Sequence, residues 1–218
     1  RKDECLMEYE VRFYFPSEEY DNIIQKLSKI GDLKKENKRY EKTSQFDHPC
    51  DDMSFYTKEI DGRFRIRITK SDDTEKCMIS WKRRLHSPSK SEVNREEEVE
   101  VSINYSEYDN LMYLINNVLK MKDIESYERY RTIFHNENVE IAVDEYPFGI
   151  ALEVENKSET KDPQEVVRKW VSKIGLDIKD AYPLSWDDKY SELCRNQGVK
   201  QYSHVTFDLP MPKVINKK

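Results

Sequence analysis

Hydrophobic residues recur along this chain at two different spacings. Alternation with period two predicts β-strands, because successive side chains of a strand point to opposite faces. Spacings of three and four residues predict helices whose apolar stripe packs on a core. The period-two segments are residues 6–15, 39–47, 53–70, 75–85, 95–103, 125–135, 138–146 and 150–156, about eight strands in all.

Four segments combine helical spacing with start and stop residues. Serine or Asp-Pro precedes the apolar stripe at the beginning, and glycine follows it at the end of three of them. The predicted helices cover residues 17–30, 106–120, 163–174 and 185–197. In the second, the apolar stripe consists of Leu111, Leu114, Ile115 and Val118.

An internal repeat relates the two halves of the chain. EYEVRFYFPSEEYDNIIQKL, residues 8–27, aligns with small gaps to EVEVSINYSEYDNLMYLI, residues 98–115. Each half thus supplies a strand, a helix and further strands. We expect the two halves to pair about a pseudo-twofold axis and to close on each other.

Charged residues occupy one face of six of the predicted strands. In EYEVRF, residues 8–13, two glutamates and an arginine alternate with three apolar residues. A single strand of this kind is typical of an antiparallel sheet with one face in solvent. The same-face charged positions are Glu8, Glu10, Arg12, Arg63, Arg65, Arg67, Lys82, Arg84, Glu98, Glu100, Arg129, Arg131, Glu153 and Glu155.

The recurrence of this pattern favours a closed barrel. Like charges two residues apart on a solvent-facing strand are mildly unfavourable. Inside a barrel, carboxylates and cations can neutralise each other while the apolar faces pack outward against the helices. We therefore predict an α+β protein: a closed, antiparallel, eight-stranded β-barrel with helices packed outside.

Such a tunnel has the chemistry of a site for a metal-bound polyphosphate. Clustered carboxylate oxygens suit Mg²⁺ or Mn²⁺. Guanidinium groups bind phosphate oxygens in bidentate fashion. A metal-bound triphosphate satisfies both sets of charges; a barrel that is merely salt-bridged is the alternative.

Composition narrows the class of partner. The 218 residues include 37 Lys and Arg against 43 Asp and Glu, and the net charge of −6 argues against loose binding to nucleic acid or to an anionic membrane. No apolar run approaches the length of a membrane span. The four cysteines form no C-x-x-C pair, so we expect reduced thiols, a cytoplasmic protein and no membrane partner.

One domain over residues 1–198 is expected, followed by a surface tail over 199–218. The segment SPSKSEVNRE, residues 87–96, is the clearest flexible connection, and we interpret it as a long hairpin loop rather than an interdomain linker. The oligomeric state is open, with a homodimer as one option.

Several segments, in order, resemble one known superfamily. EYEVR resembles its E-x-E-x-K strand, FDHP its Y-F-D-T-P turn and GRFRIRI its G-x-L-R-I-R strand. SWKRR, YERYR and AVDEYPFGIALEVE are similar to its L-T-x-K, K-x-R and L-D...L-E-I-E segments. The chain thereby resembles the CYTH, or triphosphate tunnel metalloenzyme, superfamily over residues 6–195. That superfamily includes class IV adenylate cyclases, thiamine triphosphatases, inorganic triphosphatases and RNA triphosphatases.

The resemblance implies a role for each tunnel residue. Arg12 stands where the signature has Lys, which keeps the charge but is too weak a base for proton transfer. The run of Glu96, Glu97 and Glu98 leaves the register of the middle acidic pair open by one residue. The implied metal ligands are Glu8, Glu10, Glu98, Glu100, Glu153 and Glu155, with Asp144 as a further ligand or a water-positioning group. The implied phosphate-binding residues are Arg12, Arg65, Arg67, Lys82, Arg129 and Arg131, to which the alternation adds Arg63 and Arg84; Lys82, Arg129 and Asp144 are the candidate catalytic residues.

The function expected is metal-dependent hydrolysis of a triphosphate. An adenylate cyclase that releases cyclic AMP and pyrophosphate is the alternative on the same scaffold. A non-catalytic polyphosphate or nucleotide sensor is a third hypothesis. The expected partner is a small triphosphate-containing molecule, and the one nucleic-acid substrate that would fit is the 5′-triphosphate end of an RNA.

Overall fold

The computed structural model describes residues 7–72, 74–85 and 93–215. Ten strands lie in this part of the chain: β1 (Met7–Phe15), β2 (Lys34–Lys35), β3 (Arg39–Asp47), β4 (Gly62–Lys70), β5 (Glu75–Arg84), β6 (Asn94–Ile103), β7 (Lys122–His135), β8 (Val139–Tyr146), β9 (Gly149–Asn156) and β10 (His204–Val205). The α-helices are α1 (Tyr20–Ser28), α2 (Tyr108–Tyr113), α3 (Pro163–Lys173) and α4 (Trp186–Gln197).

The eight long strands close into one antiparallel barrel. Their order around the ring is β7-β3-β4-β5-β6-β1-β9-β8, and the ring closes because β8 also pairs with β7. The two short strands, β2 and β10, both add to β7. The predicted eight-stranded barrel is therefore confirmed.

The internal repeat is visible in the topology. Exchanging β1 with β6, β3 with β7, β4 with β8 and β5 with β9 reproduces the same ring of neighbours. Helices α1 and α2 follow the equivalent strands β1 and β6. The two halves are thus related by the predicted pseudo-twofold arrangement.

Helices cover the outer, apolar face of the barrel. Helices α1 and α3 bury the outward residues of β1, β8 and β9, among them Val11 at 1% exposure. Helix α2 and the turn after it cover Phe46, Ile66 and Cys77 on β3 to β5, and α4 packs Tyr190 near Tyr146 of β8. The apolar face therefore points outward and leaves the polar face for the interior.

The helices begin where the sequence provides capping groups. Asp162 accepts a hydrogen bond from the backbone N–H of Glu165, with Pro163 in the first turn of α3. Ser185 and Asp188 form a reciprocal capping box at the start of α4. These contacts satisfy backbone donors that a helix start leaves free.

The predicted strand over residues 53–70 is wrong in its first half. Asp47 accepts hydrogen bonds from the hydroxyl of Ser54 (2.6 Å) and the backbone N–H of Phe55 (2.8 Å), which fold this segment back on itself. Asp61 then takes a left-handed φ of 45°, and β4 begins at Gly62. Side-chain to backbone bonds of this kind compete with strand pairing.

The apolar stripe predicted for the second helix is only half buried. Ile115 is 3% exposed, but Leu114 and Val118 are 50% and 59% exposed. Residues Leu114–Val118 form a π-helical turn, in which the N–H of Leu119 bonds the C=O of Leu114. Because a π turn bonds residues five apart, it rotates the following side chains away from an ideal helical stripe.

Residues 87–92 of the predicted flexible connection lie outside the described residues, whereas its last residues belong to β6. After α4, Val205 is fully buried and the N–H of Val214 bonds the C=O of Phe148.

In the described part of the chain, three cysteines are free. No helix in this part combines the length and apolar character needed to cross a membrane.

Candidate functional site

The inward faces of the strands enclose a charged tunnel. Its cavity has a volume of about 580 Å³. Of the residues predicted for the site, Asp144 is the one that does not line this cavity. The predicted residues that do are Glu8, Glu10, Arg12, Arg63, Arg65, Arg67, Lys82, Arg84, Glu98, Glu100, Arg129, Arg131, Glu153 and Glu155.

Carboxylates converge at one side of the tunnel around the ammonium group of Lys82. Its Nζ lies 2.8 Å from Glu8, 3.3 Å from Glu10, 2.7 Å from Glu96 and 3.7 Å from Glu98. The strand register produces this cluster, because Glu8 of β1 lies opposite Glu96 of β6, and Glu98 opposite Lys82 of β5. One cation thus faces four carboxylates.

The acidic cluster carries more negative charge than its cations compensate. Burial raises the pKa of Glu8 to about 9, and burial together with Glu96 raises the pKa of Glu10 to about 7 despite Lys82. Burial also disfavours ionised Glu98, but Lys82 and a hydrogen bond with Glu8 hold its pKa below the usual range. At neutral pH the cluster therefore retains protons, because burial and mutual repulsion disfavour ionising all of its carboxyl groups.

The cluster has the donor set of a divalent-cation site. Carboxylate oxygens of Glu8, Glu10 and Glu96 lie within 4.8 Å of one another. Oxygen ligands of this kind suit Mg²⁺ and Mn²⁺, and an added cation would replace the retained protons. The residues present therefore fit a divalent metal ion.

Arginines dominate the opposite side, centred on Arg129. This side chain is 3% exposed and donates to Glu41 (2.8 Å), Asp144 (3.1 Å) and the Tyr146 hydroxyl (3.3 Å). Arg131 donates to both oxygens of Asp144 at 2.6 Å. Asp144 is fully buried, and these hydrogen bonds orient both guanidinium groups. To bind a metal ion, Asp144 would have to release them.

Arg12 and Glu153 connect the two sides. Arg12 donates to Glu153 at 2.8 Å and to Glu10 at 3.2 Å, and Arg131 donates to Glu153 at 3.0 Å. Burial opposes ionisation of Glu153, but Arg12 and Arg131 outweigh it and hold its pKa well below the usual range. The ionic contacts thus run continuously from the acidic cluster to the arginines.

Some tunnel cations keep free hydrogen-bonding capacity. Arg65 is engaged by Ser80 (3.1 Å) and Glu98 (2.7 Å). Arg67, in contrast, makes no ion pair among the described residues, and its buried Nε has no partner there. The Nε atoms of Arg63 and Arg84 likewise have none. A buried donor without a partner is costly, so these groups suit an anionic ligand.

The predicted residues at the ends of the tunnel are held differently. Near α4, Arg63 donates to Ser185 at 3.2 Å and pairs with Asp61 at 2.7 Å. At the other end, Glu155 accepts from Lys157 at 2.6 Å, and Glu100 is exposed. The residues at the two ends therefore have different partners from those of the deep site around Lys82 and Arg129.

Sequence reasoning missed two buried carboxylates. Glu96 shares the inward face with Glu98 and Glu100, so the register lies on the even-numbered residues; extending the alternation two residues upstream would have found it. Glu41 is 1% exposed and pairs with Arg129. The alternation that places Glu41 inward is hard to recognise in the sequence, because the outward residues Lys42 and Ser44 are also polar.

Comparisons with known proteins agree with this geometry. The family model described as CYTH domain matches residues 6–181. The chain belongs to the CYTH domain family. No curated protein matches it.

Solved structures share the CYTH fold at low identity. The PH1819 protein of Pyrococcus horikoshii is 22% identical with a TM-score of 0.63, and the match covers 85% of this chain and 98% of that one. The PH1012 protein of the same organism is 18% identical, with a TM-score of 0.62 and coverage of 83% and 98%. A Vibrio parahaemolyticus protein named a "putative adenylate cyclase" is 14% identical, with a TM-score of 0.64 and coverage of 85% and 98%.

Proposed function

We propose that this CYTH protein is a metal-dependent triphosphatase. The observation that carries the proposal is the division of one tunnel into an under-neutralised carboxylate cluster and a set of guanidinium groups with unused donors. Glu8, Glu10 and Glu96 would hold Mg²⁺ or Mn²⁺. A chain of phosphates bridging the two sides would satisfy both.

The arginines would bind and orient the phosphate chain. The Nε of Arg67 has no partner among the described residues and could donate to a phosphate oxygen, and Arg129 is held in place by Glu41 and Asp144. Because these partners fix the guanidinium beforehand, little reorganisation is needed as charge develops on the phosphoryl group. A bound divalent ion would supply further charge neutralisation at the phosphate oxygens.

Lys82 would contact both the acidic cluster and the substrate. Burial alone would lower its pKa, but Glu10, Glu96 and Glu8 hold that pKa well above the usual range, so the group stays protonated. A protonated ammonium donates hydrogen bonds and cannot act as a base. Its role in this proposal is to stabilise negative charge.

An adenylate cyclase is the second candidate. It is favoured by the names of structural neighbours from Vibrio parahaemolyticus and Bacillus halodurans, each called a "putative adenylate cyclase" and each 14% identical to this chain. A cyclase must also position a ribose 3′-hydroxyl for attack on the α-phosphorus. A sensor that binds polyphosphate without turnover is the third candidate.

One substrate panel separates these candidates. Purified protein with Mg²⁺ or Mn²⁺ is given tripolyphosphate, ATP, thiamine triphosphate and RNA with a 5′-triphosphate, and orthophosphate, pyrophosphate and cyclic AMP are quantified. The triphosphatase releases orthophosphate. Cyclic AMP and pyrophosphate from ATP, with tripolyphosphate untouched, would establish the cyclase, and tight binding without any turnover would establish the sensor.

A matched pair of variants links the activity to the tunnel. Arg67→Gln removes a guanidinium that has no ion pair among the described residues, so we expect it to perturb folding less than removal of the paired Arg129 would. Loss of one buried charged contact costs about 2–5 kcal/mol, or roughly 30-fold to several-thousand-fold in kcat/KM. Arg195→Gln, on the exposed side of α4, is the control and should retain full activity. Equal activity in both variants would remove Arg67 from the site.

A further inference from the structure

The two ends of the tunnel are lined by different kinds of side chain. The end near α4, here called the α4 end, has the rings of Tyr127, Tyr146 and Trp186 in its lining. The ring centroids of Tyr127 and Trp186 lie 4.5 Å apart. At the opposite end, around Glu155 and Lys157, the described lining residues include no aromatic ring. Aromatic rings suit a flat organic group, and the tunnel offers them at one end.

Gln45 adds a buried polar group at the α4 end. It lines the cavity, is fully buried, and lies opposite Glu125 in the β3–β7 register, two residues from Tyr127 on the same face. Its Nε2 donates to Glu125 at 2.5 Å, whereas its Oε1 has no partner among the described residues. A buried acceptor without a partner is costly. Gln45 therefore keeps one acceptor that a ligand could satisfy.

Glu125 determines which atom of the Gln45 amide is free. Burial, with a contribution from Asp187, raises the pKa of Glu125 to about 7. Above that pH the carboxylate has no proton to donate, so it accepts a hydrogen bond from Nε2 and leaves Oε1 for the ligand. A phosphate oxygen is itself an acceptor and cannot satisfy Oε1. The ligand must therefore present an N–H or O–H group at this point.

The spacing along β3 separates this acceptor from the arginines. Glu41, which pairs with Arg129, lies four residues before Gln45 on the same inward face. Four residues of a strand span about 13 Å. A substrate whose phosphates contact Arg129 would thus extend an attached organic group toward Gln45 and the aromatic rings.

We propose that the α4 end binds an amino-bearing heterocycle attached to the triphosphate, and that Gln45 Oε1 accepts a hydrogen bond from its amino group. Tyr127 and Trp186 would contact the flat ring. This inference rests on the proposed triphosphatase function and names its substrate class: triphosphates of amino-substituted bases rather than inorganic tripolyphosphate. Gln45 would determine specificity and take no part in phosphoryl transfer.

Nucleotide pairs that differ at the amino group test the proposal. ATP is compared with inosine triphosphate and CTP with UTP, because a carbonyl replaces the amino group in the second member of each pair. Orthophosphate release with Mg²⁺ at about pH 8, where Glu125 is ionised, gives kcat/KM. A carbonyl facing Oε1 would leave both oxygens without a donor. The amino member of at least one pair should therefore be favoured roughly 10-fold to 100-fold, and it should also exceed tripolyphosphate.

A variant at Gln45 assigns the preference to this side chain. Gln45→Met keeps the approximate size of the side chain but removes the acceptor, so the preference within the pair should disappear. Lys42→Met, on the outward face of the same strand, is the matched control and should keep the preference. An unchanged preference in Gln45→Met would overturn the proposal. So would equal values within both pairs, or tripolyphosphate as the best substrate, in the unmodified protein, and these two results do not depend on the folding of the variant.

Failure of the triphosphatase would be recognised separately. If no triphosphate releases orthophosphate, calorimetric Kd values for the same two pairs with Mg²⁺ still measure the preference. Unequal affinities without hydrolysis would overturn the triphosphatase and support the subsite. Equal affinities within both pairs would overturn the subsite.

Discussion

Replacing Glu10 with glutamine perturbs the centre of the acidic cluster. Glu10 is 2% exposed, and burial together with Glu96 raises its pKa to about 7 despite Lys82. A folded-state pKa above the unfolded value means that the folded protein holds the proton more tightly. The contribution of Glu10 to stability is therefore fully present below about pH 4.5 and is lost as the pH rises to about 7.

The magnitude follows from the two pKa values. The difference between 4.5 and about 7 corresponds to about 3 kcal/mol of destabilisation once Glu10 is ionised. Glutamine keeps the shape without the charge. Lys82 still has Glu8 and Glu96 as partners, and Arg12 still has Glu153. Without metal at about pH 8, Glu10→Gln should thus raise the free energy of unfolding by up to about 3 kcal/mol.

The assay is urea denaturation at about pH 4 and about pH 8, with EDTA or with Mn²⁺. The unmodified protein should gain stability from Mn²⁺, because a ligand that binds only the folded state stabilises it. The glutamine variant should gain much less and should lose metal-dependent turnover. Glu97→Gln, on the outward side of β6, is the control: it loses an ion pair with Arg83 but should gain as much stability from Mn²⁺ as the unmodified protein does. Equal stabilisation by Mn²⁺ in both variants would refute the assignment of Glu10 to a metal site.

Two further predictions concern other buried carboxyl groups. Asp144→Asn should lower the free energy of unfolding by about 3–5 kcal/mol, because it leaves Arg129 and Arg131 buried without a shared counter-charge; a loss below about 1 kcal/mol in urea denaturation would contradict this. Burial, with a contribution from Asp187, raises the pKa of Glu125 to about 7, so its contribution to stability also declines as the pH rises from 4.5 to about 7. Glu125→Gln should therefore be more stable than the unmodified protein at about pH 8 and equal to it at about pH 4; the same difference at both values would rule out this titration.

The alternation of apolar and charged residues determined the barrel and most of the tunnel. In β1, Glu8, Glu10 and Arg12 share one face, and the helices that follow the strands supply cover for the other. Because strand periodicity is a local property, the sequence predicts which side chains share a face. Closure follows once several such faces are charged and the opposite faces are apolar.

Two segments depart from the pattern that hydrophobic spacing predicts. In one, a side chain bonds the backbone, and in the other a helix changes its hydrogen-bond spacing. Asp47 folds residues after β3 into turns, and the π turn at Leu114–Val118 exposes half of a predicted core stripe. Both features replace a regular pattern with a specific hydrogen bond. Neither is visible in hydrophobic spacing alone.

Tertiary structure alone decided which charges meet. The register between β5 and β6 put Glu96 rather than Glu100 in the deep cluster. Pairing of β3 with β7 brought Glu41 to Arg129, residues 88 positions apart in the chain. A one-residue slip in either pairing would exchange inward and outward side chains, so the electrostatic balance of the tunnel depends on contacts between strands that no single segment encodes.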